Sequence, residues 1–320
     1  MRIERLLDNI KPSPDSTVTV KKMGHITEVR YMQVTTGGTI HKLDKDSYVD
    51  LSTGEVKDFK HRKNRLGNIE SVSRSLRNLR DIINTNTIDQ EKCLWVTLTY
   101  AENMQDEKRL YDDYRKFNMR FQRNLQKQGL SKCEYIVAAE PQGRGAWHLH
   151  ILFIFPEKAS FIKNETLSEL WGHGYVSISS LKGIDNVGVY LSAYLSDIDL
   201  IKALNTVDFD CKKIKIVHSD SEHDSRRKKA IIKGARMKLY PTGFRIYRLS
   251  RGIKKPEILK MTEAEAMQEV QGAALTFEKT IQLKDNEDRT INQINYRHFN
   301  NRVKEESGGC AYEYSADHWD

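Results

Sequence analysis

Two histidines one residue apart, His148 and His150, stand in the stretch EPQGRGAWHLHILFIF (residues 140–155), at the mouth of an apolar run. On a strand, side chains at i and i+2 leave the same face, so the two imidazoles project together while Leu149 turns into a core. Such a pair is half of a ligand set for a divalent cation. It equally fits a hydrogen-bonded surface pair on an edge strand. Glu140 closes the preceding strand, and the turn over residues 141–145 brings the chain back antiparallel, so that a carboxylate joins the imidazoles on one sheet face. An oxygen and two nitrogens with open positions suit Mg2+ or Mn2+ held for catalysis better than a closed structural zinc site. A reacting group is available in VGVYLSAYLSD (187–197), where Tyr190 and Tyr194 lie one helical turn apart on a shared face. Beside a cation that polarises a phosphodiester, a phenol is a competent nucleophile and forms a phosphotyrosine. The same spacing also serves ordinary core aromatics.

These residues need a scaffold, and the chain supplies alternating elements for one. Residues 93–100, 133–140, 146–155 and 175–179 are expected strands; 107–128, 165–171 and 187–197 are expected helices. The order β-α-β-β-α-β-α, with only a short turn between the second and third strands, gives an α+β fold on a mainly antiparallel central sheet. Before it lie a β-rich amino-terminal arm and an amphipathic helix over 60–83 whose Arg74 and Arg77 lie on a stripe suited to a nucleic-acid backbone. After it come a basic segment, a strand over 244–249, a helix around 261–270, a strand over 274–283 and a polar helix near 294–305. The expected division is 1–59 for the arm, 60–200 for the catalytic domain, 201–305 for a basic extension and 306–320 for a tail.

Charge narrows the partner. The chain of 320 residues carries a formal charge of +8, and it is focused: residues 201–260 hold 17 Lys and Arg against 6 Asp and Glu, while residues 60–82 hold 7 against 2. Local basicity of this kind favours a polyphosphate, because each neutralised phosphate releases counterions. Arg226, Arg227, Lys228, Lys229, Lys233, Arg236 and Lys238 are the expected backbone contacts, with Gln142 and Arg144 beside the candidate cation site. Thr97 and Thr99 share a strand face and fit beneath that site or as ordinary strand residues; Trp147 is expected to pack, and His173 to be an incidental loop residue. Four scattered cysteines without CxxC spacing and an amino terminus without an apolar leader fit a soluble protein of the bacterial cytoplasm, with no membrane partner.

The strand WVTLTY, the stretch EPQGRGAWHLH and the helix VGVYLSAYL, in that order, resemble the three motifs of HUH endonucleases, the rolling-circle replication initiators of plasmids and phages. Residues 233–256 resemble the segment that follows the catalytic domain in such proteins, and the likeness spans roughly residues 60–300. The resemblance implies a ferredoxin- or RRM-like core and a site-specific nickase acting on single-stranded or hairpin origin DNA. It implies a metal held by His148, His150 and Glu140, a nucleophile at Tyr190 or Tyr194, and a 5′-phosphotyrosine that leaves a 3′ hydroxyl primer. The chain departs from the family where a lysine usually follows the tyrosine by three residues: those positions are Ala193 and Asp197. Lys182, Lys212 and Lys213 are candidates to supply that charge. With no GxxxxGK[ST] motif in the sequence, strand unwinding and synthesis are expected from a host helicase and polymerase. A relaxase or single-strand transposase, a catalytically weak origin-binding protein, and an unrelated HxH metallohydrolase are the other readings.

Overall fold

The computed structural model describes residues 2–35, 40–44, 46–50, 54–59, 69–199, 214–218, 228–232, 236, 239–241, 243–285 and 287–303. They form two compact units, one drawn from the described residues up to 59 and from 256 on, and the other from those between 69 and 255. Every strand pair is antiparallel, so the expected α+β architecture is present. Among the described residues no helix is long and apolar enough to cross a membrane.

The first unit is a six-stranded sheet made from both ends of the chain. Its strands β1 (Arg2–Arg5), β2 (Thr17–Met23) and β3 (Ile26–Met32) combine with β15 (Glu257–Thr262), β16 (Ala274–Lys284) and β17 (Thr290–Asn300) in the order β1-β16-β17-β3-β2-β15. The amino-terminal strands thus do not form an arm of their own. They are completed by the last third of the chain, which divides the expected extension at about residue 255. The final segment also differs from expectation: residues 290–300 are strand, not a polar helix. Its interior positions carry Asn295 and Arg297, which are buried, and this disguises the period of two. Both side chains find partners distant in sequence. Asn295 donates to Glu278 and Thr280, and Arg297 grips Glu263. A helix, α5 (Glu263–Glu269), starts at a Thr262–Glu265 capping box and seats Ala266 on Val18, Val20, Val29 and Phe299. A three-stranded sheet of β4 (Ile40–Lys42), β5 (Ser47–Asp50) and β6 (Val56–Asp58) also belongs to this unit.

The second unit holds the histidine strand at the centre of a five-stranded sheet, in the order β10-β7-β9-β8-β14. Its strands are β7 (Cys93–Thr99), β8 (Glu134–Pro141), β9 (Trp147–Ile154), β10 (Val176–Ser179) and β14 (Tyr247–Leu249). The helix α2 (Glu107–Lys127) lays Phe117 and Phe121 on Phe153, which alternation puts on the face of β9 opposite the histidines. Tyr114 of α2 meets Tyr135 edge to face, and α3 (Asn164–Trp171) contributes Trp171 to the same cluster through Phe117. The helices α1 (Ile69–Asn86) and α4 (Val187–Ser196) pack on each other. The contact is close at Gly188, where a Cβ would collide with the Arg80 carbonyl. A small sheet of β11 (Ile198–Asp199), β12 (Ile214–His218) and β13 (Lys228–Ile232) follows α4.

Candidate active site

Register decides which residues share a face. His148 lies between Thr99 of β7 and Glu140 of β8, and His150 lies between Thr97 and Ala138. Residues directly opposite each other in an antiparallel sheet point the same way, so Glu140, His148, His150, Thr97 and Thr99 share one face of the central strands. The expected grouping of one carboxylate with two imidazoles is therefore present in the backbone arrangement.

The side chains add detail. Glu140 and His150 are each 5% exposed, and Glu140 Oε2 contacts His150 Nε2 directly. The other ring nitrogen of His150, Nδ1, shares a hydrogen bond of 3.1 Å with Thr97 Oγ1. The ring is also stacked on Trp95, with centroids 5.3 Å apart. Thr97 thus holds an imidazole from behind, as second-layer groups do for metal-ligating histidines. His148 is half-buried on the same face. Burial pushes its pKa down to about 4, opposed by the nearby Glu140 carboxylate, so the ring is neutral at physiological pH with a lone pair to offer. Burial alone would push the Glu140 carboxyl up, but the bond from His150 and the guanidinium of Arg236 hold it below the usual carboxylate value. Among the described residues no three His, Cys, Asp or Glu side chains stand in metal-ligating geometry. Instead Glu140 and His150 close on each other, with His148 beside them. Imidazole and carboxylate are ligand types of divalent metal ions in general.

The tyrosine helix is tethered at both ends. At its start the N-cap Asn186 accepts from Val189 N, while Asn84 of α1 donates to Asn186 and accepts from Gly188 N. At its end, Arg236 takes the carbonyl of the C-cap Asp197 through Nε (3.2 Å) and Nη2 (3.0 Å), and reaches Glu140 Oε1 (2.7 Å) and the Pro141 carbonyl (2.8 Å) through Nη1. Tyr240 repeats the link, its hydroxyl lying 2.9 Å from the Ala139 carbonyl and 3.1 Å from that of Leu195. Arg236 and Tyr240 therefore join the end of α4 to the strand that ends in Glu140. Tyr190 is half-buried and packs against the central core. The backbone of Tyr194 lies in α4, and its side chain is outside the described residues.

The remaining expected residues fall into three groups. Arg74, Arg77 and Arg144 are exposed, and Gln142 is half-buried in the turn that Gly145 and Ala146 close onto it. Trp147 is buried, stacked on Phe244 with centroids 4.7 Å apart. Arg226, Arg227, Lys233 and Lys238 lie outside the described residues, as do the side chains of Lys228 and Lys229 in β13. Arg236 is a correction: the sequence places it among exposed phosphate contacts, but it is 9% exposed and committed to Glu140 and two main-chain carbonyls. Net charge could not distinguish it from its basic neighbours. Spacing could, since Arg236, Tyr240 and Phe244 fall at every fourth residue and all three are buried. His173, expected to be incidental, packs on Trp171 and Tyr100 and approaches the buried Asp113 at 3.7 Å.

Residues 93–199, from the first strand of the central sheet through the tyrosine helix, match the family model of the ORF2-type replication-associated protein. The match supports a replication-associated protein. It spans about a third of the chain and contains Glu140, His148, His150, Tyr190 and Tyr194. No curated protein and no solved structure matches the chain.

Proposed function

We propose that the protein initiates rolling-circle replication by nicking single-stranded or hairpin origin DNA in a metal-dependent transesterification. The observation that carries this reading is the strand register that aligns Glu140, His148 and His150 on one face, joined through Arg236 to the end of the tyrosine helix. The similarity to replication-associated proteins over the same stretch supports it.

In this reading Glu140, His148 and His150 hold Mg2+ or Mn2+, which when bound offsets the charge that develops on the scissile phosphate. Thr97 fixes the His150 ring, and Trp95 prevents it from turning. A phenolic oxygen of Tyr190 or Tyr194 gives up its proton to solvent and attacks phosphorus as the P–O3′ bond breaks, and the departing 3′ oxygen takes a proton from solvent to become the hydroxyl primer. The 5′ phosphate stays on tyrosine until a second transfer rejoins the displaced strand. The exposed Arg74, Arg77 and Arg144 fit sequence-independent contacts to the DNA backbone, and a host helicase and polymerase complete the reaction.

The test uses end-labelled single-stranded oligonucleotides tiling the replicon that encodes the chain, incubated with Mn2+ and resolved on a denaturing gel. A protein–DNA adduct that is lost in His148→Ala and in the double variant Tyr190→Phe/Tyr194→Phe, with DNA retention intact, supports nicking. Retention with no adduct in any divalent metal leaves an origin-binding protein, the reading favoured by Ala193 and Asp197 standing where the related helices carry lysine. Cleavage with no adduct identifies a hydrolase.

A further inference from the structure

The guanidinium of Arg236 lies on the carboxylate that the nicking reading assigns to the metal. Glu140 divides its two oxygens: Oε2 meets His150, and Oε1 meets Arg236 at 2.7 Å. Both side chains are almost wholly buried, so little solvent screens the pair. Two main-chain carbonyls, of Pro141 and Asp197, hold the guanidinium in place, so it cannot swing away as a surface side chain would. A catalytic Mg2+ is usually held by one or two carboxylates together with oxygens of the bound phosphate. The described residues here bring one, and a fixed positive charge already compensates it.

We propose that Arg236 is a built-in counter-cation of Glu140, with which a divalent ion must share the carboxylate, so that the protein holds the ion weakly until a DNA phosphate adds negative charge. This inference rests on the metal-dependent reading above and gives it an order: the ion and the DNA bind together, each strengthening the other's hold. It assigns Arg236 a role through Glu140 rather than contact with the reacting atoms. It also explains why an arginine in a basic segment is buried at the end of β8 instead of facing solvent. An arginine that served only to staple α4 to β8 would have the opposite signature, because its loss would loosen the ligand strand and weaken metal binding.

The measurement is Mn2+ binding followed by the electron paramagnetic resonance signal of the free ion, with and without the replicon oligonucleotide that the tiling assay retains. For the wild type we expect Mn2+ to bind at least about tenfold more tightly with DNA than without it. For Arg236→Met, which keeps the apolar stem and removes the charge, we expect Mn2+ affinity without DNA to rise about tenfold while adduct formation falls. Arg236→Lys retains the cation and should keep the wild-type pattern of metal binding. Tyr240→Phe breaks the neighbouring link without changing charge and should leave metal binding within about twofold of wild type. Tight, DNA-independent binding by the wild type overturns the inference alone. So does unchanged or weakened Mn2+ binding in a folded Arg236→Met, or an equal shift in Tyr240→Phe. Should Arg236→Met fail to fold, Arg236→Gln, which removes the charge and keeps a donor for the main-chain carbonyls, replaces it in the same measurement with the same expected rise. Absence of Mn2+ binding with or without DNA overturns the inference together with the nicking reading.

Discussion

Among the described residues, each unit of the protein buries one arginine–glutamate pair, and the two pairs are built differently. In the six-stranded sheet, Arg297 meets Glu263 fork to fork, Nη1 to Oε1 at 2.5 Å and Nη2 to Oε2 at 2.6 Å, so one guanidinium satisfies both carboxylate oxygens. In the five-stranded sheet, Arg236 takes only one oxygen of Glu140, the second goes to His150, and the rest of the guanidinium goes to main-chain carbonyls. The first pair is closed and serves to join β17 to α5. The second is open: its carboxylate contacts an imidazole that a cation would also use, and its arginine holds the helix that carries the tyrosines. Burial is similar in the two cases, so burial alone does not separate a pair that holds the fold from one that holds a site. The separation lies in how the oxygens are distributed.

That contrast can be broken experimentally. The largest effect is expected from Glu263→Ala, which strands a buried guanidinium: about 3–5 kcal/mol of stability should be lost in urea denaturation. Replacing the pair together by Glu263→Leu and Arg297→Met should restore most of it, because a buried pair exchanged for packed apolar groups is close to neutral. If the single change costs under about 1 kcal/mol, the closed pair is not a fold element in this sense. Next comes Glu140→Gln at the open pair. Here the account expects adduct formation to fall at least about 100-fold in single-turnover assays, far out of proportion to any change in melting temperature. Equal losses of stability and activity would make the two pairs alike. Smaller again is Thr97→Val, which removes the partner of His150 Nδ1 at nearly constant volume and should cost about tenfold in adduct formation. An unaltered rate would mean that Trp95 alone fixes the ring.

The smallest expected effect is on the pH dependence of stability, which also separates site from scaffold. The folded protein keeps His148 neutral down to about pH 4, whereas an unfolded chain binds that proton near 6.5, so stability should decline as pH falls from about 6.5 towards 4. Cys133, in the core, behaves in the other direction. Burial pushes its thiol from the ordinary 9.0 up to about 12, so the unfolded chain releases the proton first and stability should decline as pH rises from about 9 towards 12. His148→Gln should lessen the acid arm, to which Glu140 also contributes, and leave the alkaline arm unchanged; Cys133→Ala should lessen the alkaline arm, to which the buried Tyr111 and Tyr114 also contribute, and leave the acid arm unchanged. Thermal melts across pH check both.

Much of the candidate site is legible in the sequence because it depends on local rules. A period of two aligns His148 with His150, and a short turn returns Glu140 to them; register then completes what spacing began. The helices over 107–127, 164–171 and 187–196 are legible for the same reason, since apolar periodicity and caps are local signals. What is not legible depends on distant partners. The strand over 290–300 reads as a helix because Asn295 and Arg297 are polar and buried, and nothing nearby in sequence announces Glu278 or Glu263 as their partners. The division into units is misplaced by sequence because β1, β2 and β3 pair with strands more than 200 residues away. Arg236 is lost among its basic neighbours, and the links from Asn84 to the start of α4 have no sequence signature of their own.

In the proposed nickase the sheet face with Glu140, His148 and His150 works together with the helix Val187–Ser196 to cut and hold DNA. The most direct measurement is mass spectrometry of the DNA-linked peptide recovered after Mn2+-dependent reaction and proteolysis. A nucleotide phosphate on Tyr190 or Tyr194 is the expected result. A linkage on any residue outside that helix, or its formation without Glu140, His148 and His150, would contradict it.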